Sequence, residues 1–317
     1  MSKFLNFNDM MQLLNNKTIL ITGGSGFIGS KIVQKLLTNK SLKIKLITRN
    51  QLDYSQDNID YIKCDLTDIS SLKILNGIGK VDYVIFLAAK MPDPSISDNV
   101  EVNLKQNFFS ALNFINFLPD KLSGFIFISS IDVYGYPVYN PIDEKHPTNP
   151  STYYGASKLS SEKFLKIALY KKQIPLTILR LSQVYGPGEP KLKAIPKFID
   201  LMANENTSPI IFGNGSDIRD YLFVDDAANA IIMAMISNMP GVYNIGTGKG
   251  TSINNVVEII NTILGTKIKP IYKPRVKEEY GSIIDISLAK KTFGYQPSID
   301  FPEGIKKQIL WASRNVK

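Results

Sequence analysis

Lys17-Thr-Ile-Leu-Ile-Thr22, followed at once by Gly23-Gly-Ser-Gly-Phe-Ile-Gly29, decides how the rest of the chain is read. The first segment is a short β-rich apolar run, the second a glycine turn, and Ile28 to Leu37 continues as an amphipathic stretch. Strand, glycine turn and helix in that order form the context a dinucleotide fingerprint requires. Glycines let the backbone approach a pyrophosphate, and the helix N-terminus supplies oriented N–H groups with a partial positive charge. Gly24-x-Gly26-x-x-Gly29 fits the general nucleotide spacing, and Gly23-x-x-Gly26-x-x-Gly29 fits a narrower one. The bland alternative is a tight turn between a strand and a helix.

Working outward, short apolar runs alternate with helical stretches. Strands are predicted at Thr18–Thr22, Ile44–Thr48, Tyr61–Cys64, Tyr83–Leu87, Phe125–Ser129 and Leu176–Leu181, with helices such as Val102–Phe117 and Tyr154–Tyr170 between them. That alternation predicts an α/β fold, a doubly wound parallel sheet with helices on both faces. Such sheets bind ligands at the C-terminal ends of their strands. The glycine turn, Arg49, Ala88 and Ser130 all fall at such ends. After Gly186-Pro-Gly-Glu-Pro190 the elements become shorter and are separated by Gly and Pro. The expected division is an N-terminal extension (1–16), a dinucleotide-binding domain (17–186) and a mainly substrate-binding lobe (187–317), with Gly241–Gly246 returning to the main sheet. Residues 1–16 carry Phe4, Leu5, Phe7, Met10, Met11, Leu13 and Leu14, and read as a short docking helix or a frayed extension.

Tyr154-Gly-Ala-Ser-Lys158 places a phenol and an amine on one helix face. An adjacent cation favours the phenolate and lowers a tyrosine pKa that is normally about 10. The phenol then becomes usable as a proton donor or acceptor near neutrality. Neighbouring Tyr153 is expected to be the packing residue.

The 317 residues suffice for one large or two modest domains, and 44% hydrophobic with 21% charged residues is ordinary for a globular protein. One cysteine, Cys64, excludes an intramolecular disulfide or a cysteine-based zinc cluster, and a reducing, cytoplasmic setting is expected. No secretory leader and no run of membrane-spanning length is read in the chain. The net charge of +9 comes from 37 basic and 28 acidic residues scattered without an arginine-rich run. It reads as solvated surface rather than a nucleic-acid footprint. His146, the one histidine, precedes Pro147 in a polar loop and is expected in solvent. Asp225-Asp226 and Glu278-Glu279 are expected to start a helix or face solvent, so no metal site is read.

Together these residues resemble the extended short-chain dehydrogenase/reductase family, in its nucleotide-sugar epimerase, dehydratase and reductase branch, from Lys17 to the C-terminal helix. The resemblance implies a Rossmann-type fold with a smaller C-terminal substrate-binding lobe, a homodimer, and a place in nucleotide-sugar metabolism and polysaccharide biosynthesis. It makes Gly23, Ser25, Gly26, Phe27, Ile28 and Gly29 the pyrophosphate cradle. In Cys64-Asp-Leu-Thr-Asp68, Asp65 and Leu66 would flank the adenine; in Phe86-Leu-Ala-Ala89, Leu87, Ala88 and Ala89 would line the nicotinamide side. Ser129-Ser-Ile-Asp-Val-Tyr-Gly135 resembles the serine segment, with Ser130 as the catalytic hydroxyl, Tyr154 as acid/base, and Lys158 holding the ribose hydroxyls. Arg180-Leu-Ser-Gln-Val-Tyr-Gly-Pro-Gly188, Arg219-Asp220 and Val224-Asp-Asp226 resemble substrate-side signatures. Lys90, Ser130, Gln183, Arg219 and Arg275 would contact the substrate, Arg219 through its diphosphate, with Arg275 resembling a second family arginine. Ser282 falls near a position that gates the sugar C2 substituent in some epimerases.

Two departures sharpen the resemblance. NAD-preferring members carry an acid at the end of the second strand, where this chain has Ile47-Thr48-Arg49-Asn50. Arg49 is suited to a 2′-phosphate, so NADP(H) is expected ahead of NAD(H). The 4,6-dehydratases carry an Asp-Glu pair after the serine, where this chain has Ile131-Asp132, which disfavours dehydration. The expected activity is at C4 of a nucleoside-diphosphate sugar, either reduction of a 4-keto group or 4-epimerisation. A catalytically inactive nucleotide-binding sensor on the same fold is the alternative from a different class.

Overall fold

The computed structural model describes residues 5–49, 57–91, 99–275 and 281–314; Glu278-Glu279 lie outside them. Seven strands form one parallel sheet: β1 (Thr18–Thr22), β2 (Lys43–Thr48), β3 (Ile59–Lys63), β4 (Tyr83–Phe86), β5 (Gly124–Ser130), β6 (Leu176–Leu181) and β7 (Gly241–Ile245). Their order is β7-β6-β5-β4-β1-β2-β3. Every residue of β1 is buried, as the near-continuous apolar run of a strand covered on both faces requires. Ile21 lies opposite Leu46 on one side and Ile85 on the other. The order switches direction beside β1, so the ligand crevice of such a sheet opens at the glycine turn. The expected return to the sheet is present: β7 pairs with β6, Val242 opposite Ile178.

Helices α1 (Phe7–Gln12), α2 (Phe27–Leu36), α3 (Tyr153–Lys171) and α4 (Val224–Ser237) frame the sheet. Ile32 and Leu36 of α2 join Ile231 and Ile232 of α4 over Leu46 and Ile85. On the other face, Leu165 and Leu169 of α3 pack with Phe86, Phe125, Phe127 and Phe114. A separate cluster in the C-terminal part gathers Ile195, Phe198, Phe223, Val257 and Ile305 around Tyr185.

Four expectations need correction. Tyr153 is 49% exposed, whereas Tyr154 is 3% exposed. Thr152 caps α3 by accepting from the Gly155 N–H at 3.0 Å, and a side chain at Gly155 would strike the Asp132 carbonyl. That close approach turns Tyr154, not Tyr153, inward. His146 is buried rather than solvated. Its Nε2 accepts from the Val138 N–H at 2.9 Å, its Nδ1 faces the Pro147 carbonyl at 2.8 Å, and the ring stands edge-on to Tyr134. Asp226 starts α4 but is buried, accepting from Ser298 Oγ at 2.6 Å and from the Ser298 and Ile299 N–H groups. The helix expected at Val102–Phe117 runs as Val100–Asn103, a π-helical stretch Leu104–Phe109, and Ser110–Ile115.

The N-terminal segment docks. Met10, Met11 and Leu14 are buried, and Asn39 Nδ2 donates to the Met11 carbonyl at 2.7 Å. Among the described residues no helix is long and apolar enough to cross a membrane. Leu14, 1% exposed, should therefore act as a core residue. Leu14→Ala is expected to lower unfolding stability by about 2–5 kcal/mol, read from the urea midpoint; an unchanged midpoint would mean the extension does not hold the core.

Candidate active site

The site assembles at the C-terminal strand ends. Gly23 adopts φ +70°, a conformation that side chains other than glycine rarely tolerate. A Cβ there would come within 2.9 Å of the Ala88 backbone nitrogen, and one at Gly29 would strike the Gly23 carbonyl. No side chain caps the N-terminus of α2 at Gly26, and Ser25 and Gly26 are exposed. A cradle without room for side chains, ending on uncapped N–H groups, fits a dinucleotide pyrophosphate. Thr22 Oγ1 accepts from the Ala88 N–H at 3.1 Å, which ties the turn to the end of β4.

The other cofactor-side residues surround that cradle. Leu87 and Ala88 are half-buried beyond β4, with Ala89 exposed. Beyond β3, Leu66 is buried, while Asp65 Oδ1 accepts from the Thr67 N–H at 2.9 Å and its Oγ1 at 2.8 Å. Arg49 is exposed at the end of β2. Lys90 is held by a residue the sequence reading missed. Asn107 Oδ1 accepts from the Lys90 N–H at 2.7 Å, and its Nδ2 donates to the Lys90 carbonyl at 3.1 Å. The π-helical register around Asn107 turns it toward the strand end, a device found often at functional sites.

Ser130, Tyr154 and Lys158 converge. The Ser130 side chain favours the ionised form of the Tyr154 phenol, and Ser130 Oγ accepts from the Asp132 N–H at 3.2 Å. Lys158 Nζ donates to the Ile128 carbonyl at 2.6 Å and lies 4.7 Å from the centre of the Phe127 ring. Burial pulls the Lys158 ammonium down to about 7, against the opposing pull of Glu162 one turn on. Burial also pushes the Tyr154 phenol up, and the charge of Asp132 adds to it. The expected lowering of Tyr154 by Lys158 is thus absent in this arrangement, where burial and the Asp132 charge raise the phenol. Asp132 keeps solvent contact in the cleft, yet surrounding protein desolvates it and raises its carboxyl, opposed by Ser130, Lys193 and Arg219.

On the substrate side, Arg219 and Arg275 meet at Asp217. Arg219 Nη2 lies 3.3 Å from Asp217 Oδ2, and Arg275 Nη1 contacts the same oxygen. Ser282 is buried opposite Arg219 in a short parallel pairing. Gln183 is exposed, with its N–H donating to the Asp220 carbonyl at 3.2 Å. Two residues in the substrate-like signatures are internal instead. Arg180 is buried against Glu162, with Nη2–Oε2 at 2.6 Å and Nε–Oε1 at 3.0 Å. Asp220 is fully buried and accepts from Thr247 Oγ1 at 2.7 Å and from the Thr247 and Gly248 N–H groups.

A glycine-walled cradle beside a buried tyrosine and lysine and a half-buried serine, at the switch point of a parallel sheet, marks an enzyme that works on a bound dinucleotide. The chain belongs to the NAD dependent epimerase/dehydratase family, which it matches over residues 19–246. It is 38% identical over 311 residues to a Methanocaldococcus jannaschii protein named "Putative UDP-glucose 4-epimerase", covering 94% of this chain and 99% of that one. It is 26% identical to the Mus musculus dTDP-D-glucose 4,6-dehydratase, covering 94% and 89% of the two chains. The structure of a Bacillus cereus UDP-glucuronic acid 4-epimerase, in complex with UDP-glucuronic acid and NAD, superposes with a TM-score of 0.84 at 26% identity, covering 94% of this chain and all of the other.

Lys158 carries a measurable consequence. With its folded pKa below the ordinary 10.5, the unfolded chain binds the extra proton, so stability rises as pH climbs from about 7 toward 10.5. Lys158→Met should raise the urea midpoint at pH 7, by about 1–3 kcal/mol, with the gain shrinking toward pH 10. A variant less stable than wild type at pH 7 would contradict a strained lysine.

Proposed function

We propose that this chain is a 4-epimerase of nucleoside-diphosphate sugars, and the observation that carries the reading is the placing of buried Tyr154 and Lys158 on one face of α3 at the end of β5, where Ser130 stands, beside the glycine cradle. Gly23, Ser25, Gly26, Phe27, Ile28 and Gly29 hold the dinucleotide pyrophosphate, with Asp65 and Leu66 at the adenine end and Leu87, Ala88 and Ala89 at the nicotinamide end. A dinucleotide held there would supply reversible hydride chemistry at C4 of the sugar, and hydride return to the opposite face of the ketone would invert that carbon. Tyr154 takes the proton from the C4 hydroxyl and gives it back after inversion, so no proton or electron pair is lost overall. Ser130 donates to the same oxygen as charge develops there. Lys158 holds the ribose hydroxyls and, when protonated, supports the Tyr154 phenolate. The charge of Asp132 opposes that phenolate, while burial raises the Asp132 carboxyl itself. Lys90 and Gln183 border the sugar; Arg219 and Arg275 grip the diphosphate, as guanidinium forks suit phosphate oxygens.

Arg49 favours a second reading, a 4-keto-sugar reductase that consumes NADPH, because an exposed guanidinium at the end of β2 suits a 2′-phosphate. The two readings separate on the nucleotide the protein retains. Denaturation of purified protein is expected to release NAD⁺ in stoichiometric amount, the mark of a recycled cofactor. An empty protein that binds NADPH selectively would shift the assignment to the reductase, and affinity for neither would remove both. Tyr154→Phe is expected to lower kcat by about 10²–10⁴-fold while leaving dinucleotide binding intact; near-full turnover would displace Tyr154 as the acid/base.

We also assign the protein to a homodimer, through the outer face of α3. Phe164 and Ile167 are 52% and 59% exposed there, and Phe164 packs edge-on against Phe108 beside exposed Phe109. An apolar strip of that kind is what a second copy would cover. Light scattering should give twice the 35.4 kDa chain mass; a monomer at micromolar concentration would overturn the assignment.

A further inference from the structure

Asp217 lies directly before the short strand Ile218–Arg219 and beneath two cations from distant parts of the chain. Its side chain is 9% exposed, against 12% for Arg219 and 19% for Arg275, so the carboxylate is the deepest of the three. Both guanidiniums reach the same oxygen, Oδ2. The Asp217 backbone is fixed as well: its carbonyl accepts from the Ile253 N–H at 3.2 Å, at the start of the helix Ile253–Leu264. Arg219 has a second anchor, donating from Nη1 to the Ile218 carbonyl at 2.9 Å, and its strand is pinned by the bonds of Asp220 to Thr247, Gly248 and Ile284. Arg275 follows the exposed strand Ile271–Lys273 and is tethered to Asp217.

Two guanidiniums at one place repel each other, and side-chain entropy favours their separation. A carboxylate behind them offsets the repulsion and fixes both planes. We propose that Asp217 is a positioning residue, whose one carboxylate holds Arg219 and Arg275 together as a single clamp for the diphosphate of the substrate. The inference rests on the preceding reading, in which these arginines bind that diphosphate. It adds a residue that does not touch the substrate and accounts for a buried acid in an anion site. A carboxylate that merely competed with the diphosphate for the arginines would have the opposite effect when neutralised, so the sign of one measurement separates the two roles.

The probe is UDP, titrated calorimetrically into the purified full chain, with NAD⁺ as a second probe of the intact fold. Asp217→Asn keeps the shape and removes the charge. It is expected to weaken UDP binding by on the order of tenfold, the share of one charge-assisted hydrogen bond, with NAD⁺ affinity unchanged. In an Arg275→Ala background the same substitution should cost less than about twofold, because one of the two partners it positions is gone and Arg219 keeps its own anchor on the Ile218 carbonyl. UDP binding equal to or tighter than wild type in Asp217→Asn would overturn the proposal, as would an undiminished loss in the Arg275→Ala background. If the Asn variant does not fold, Asp217→Glu keeps the charge and displaces it by one methylene; weaker UDP binding is expected and wild-type affinity would overturn the role. Wild-type protein with no affinity for UDP would remove the nucleotide-sugar reading and the role of Asp217 with it, whereas UDP binding that Asp217 variants leave alone removes the inference only.

Discussion

Two charges buried side by side, Glu162 on α3 and Arg180 on β6, hold that helix to the sheet. Both carboxylate oxygens are used, and Ser129 Oγ on β5 adds a hydrogen bond of 2.6 Å to Oε1. From Arg180 the chain of bonds continues through the Tyr134 hydroxyl at 3.0 Å to Asn244 on β7 at 2.7 Å. One network therefore reaches three adjacent strands and the helix that carries Tyr154 and Lys158. A buried pair of this kind adds little net stability compared with apolar packing, but losing one partner leaves a stranded charge and costs about 3–5 kcal/mol. Its contribution here is direction: it sets how α3 rotates, and that rotation turns Tyr154 and Lys158 inward.

The same rotation creates a conflict between stability and chemistry. Lys158 is buried without a carboxylate bonded to its ammonium, resting on a carbonyl and an aromatic face. Tyr154 is buried beside a carboxyl group that opposes its ionisation. An ordinary helix would turn leucines to these positions. This one turns Tyr154, Ser157, Lys158, Ser161 and Glu162 inward, and reaches apolar packing only at Leu165 and Leu169. Polar groups with perturbed protonation in a cleft are the usual mark of a working site.

Much of the fold was legible because its determinants are local. The run Thr18–Thr22 is apolar throughout because both faces of β1 are covered, and the glycines after it are required by contacts that any Cβ would violate. Alternation then dictated a parallel sheet, and even the return of β7 was visible in Gly241–Gly246. What escaped depended on partners far away in sequence. Tyr153 and Tyr154 could not be told apart because the inward face of α3 is polar, so hydrophobic periodicity gave no phase. Asn107 was hidden inside a regular helical pattern that shifts to π register. His146 and Asp226 resembled surface residues because their hydrogen-bond partners, Val138 and Ser298, carry no recognisable signal. Arg180 resembled a ligand contact until Glu162 was seen opposite it. Asp217 stands two residues before Arg219, outside the signatures read in the sequence, and its role appears only when Arg275 arrives from another segment.

The place of β7 in the sheet has a consequence for synthesis. β6 ends at Leu181, and the strand that covers its edge is not complete until Ile245. At about 5–20 residues per second, the ribosome leaves that edge bare for several seconds, and an unpaired edge is a template for pairing with another chain. The face of α2 waits for the same stretch, because α4, which packs over it, lies just before β7. Neither end of the molecule can therefore finish its core alone: the dinucleotide cradle, made first, gains its final support only after most of the chain has left the ribosome.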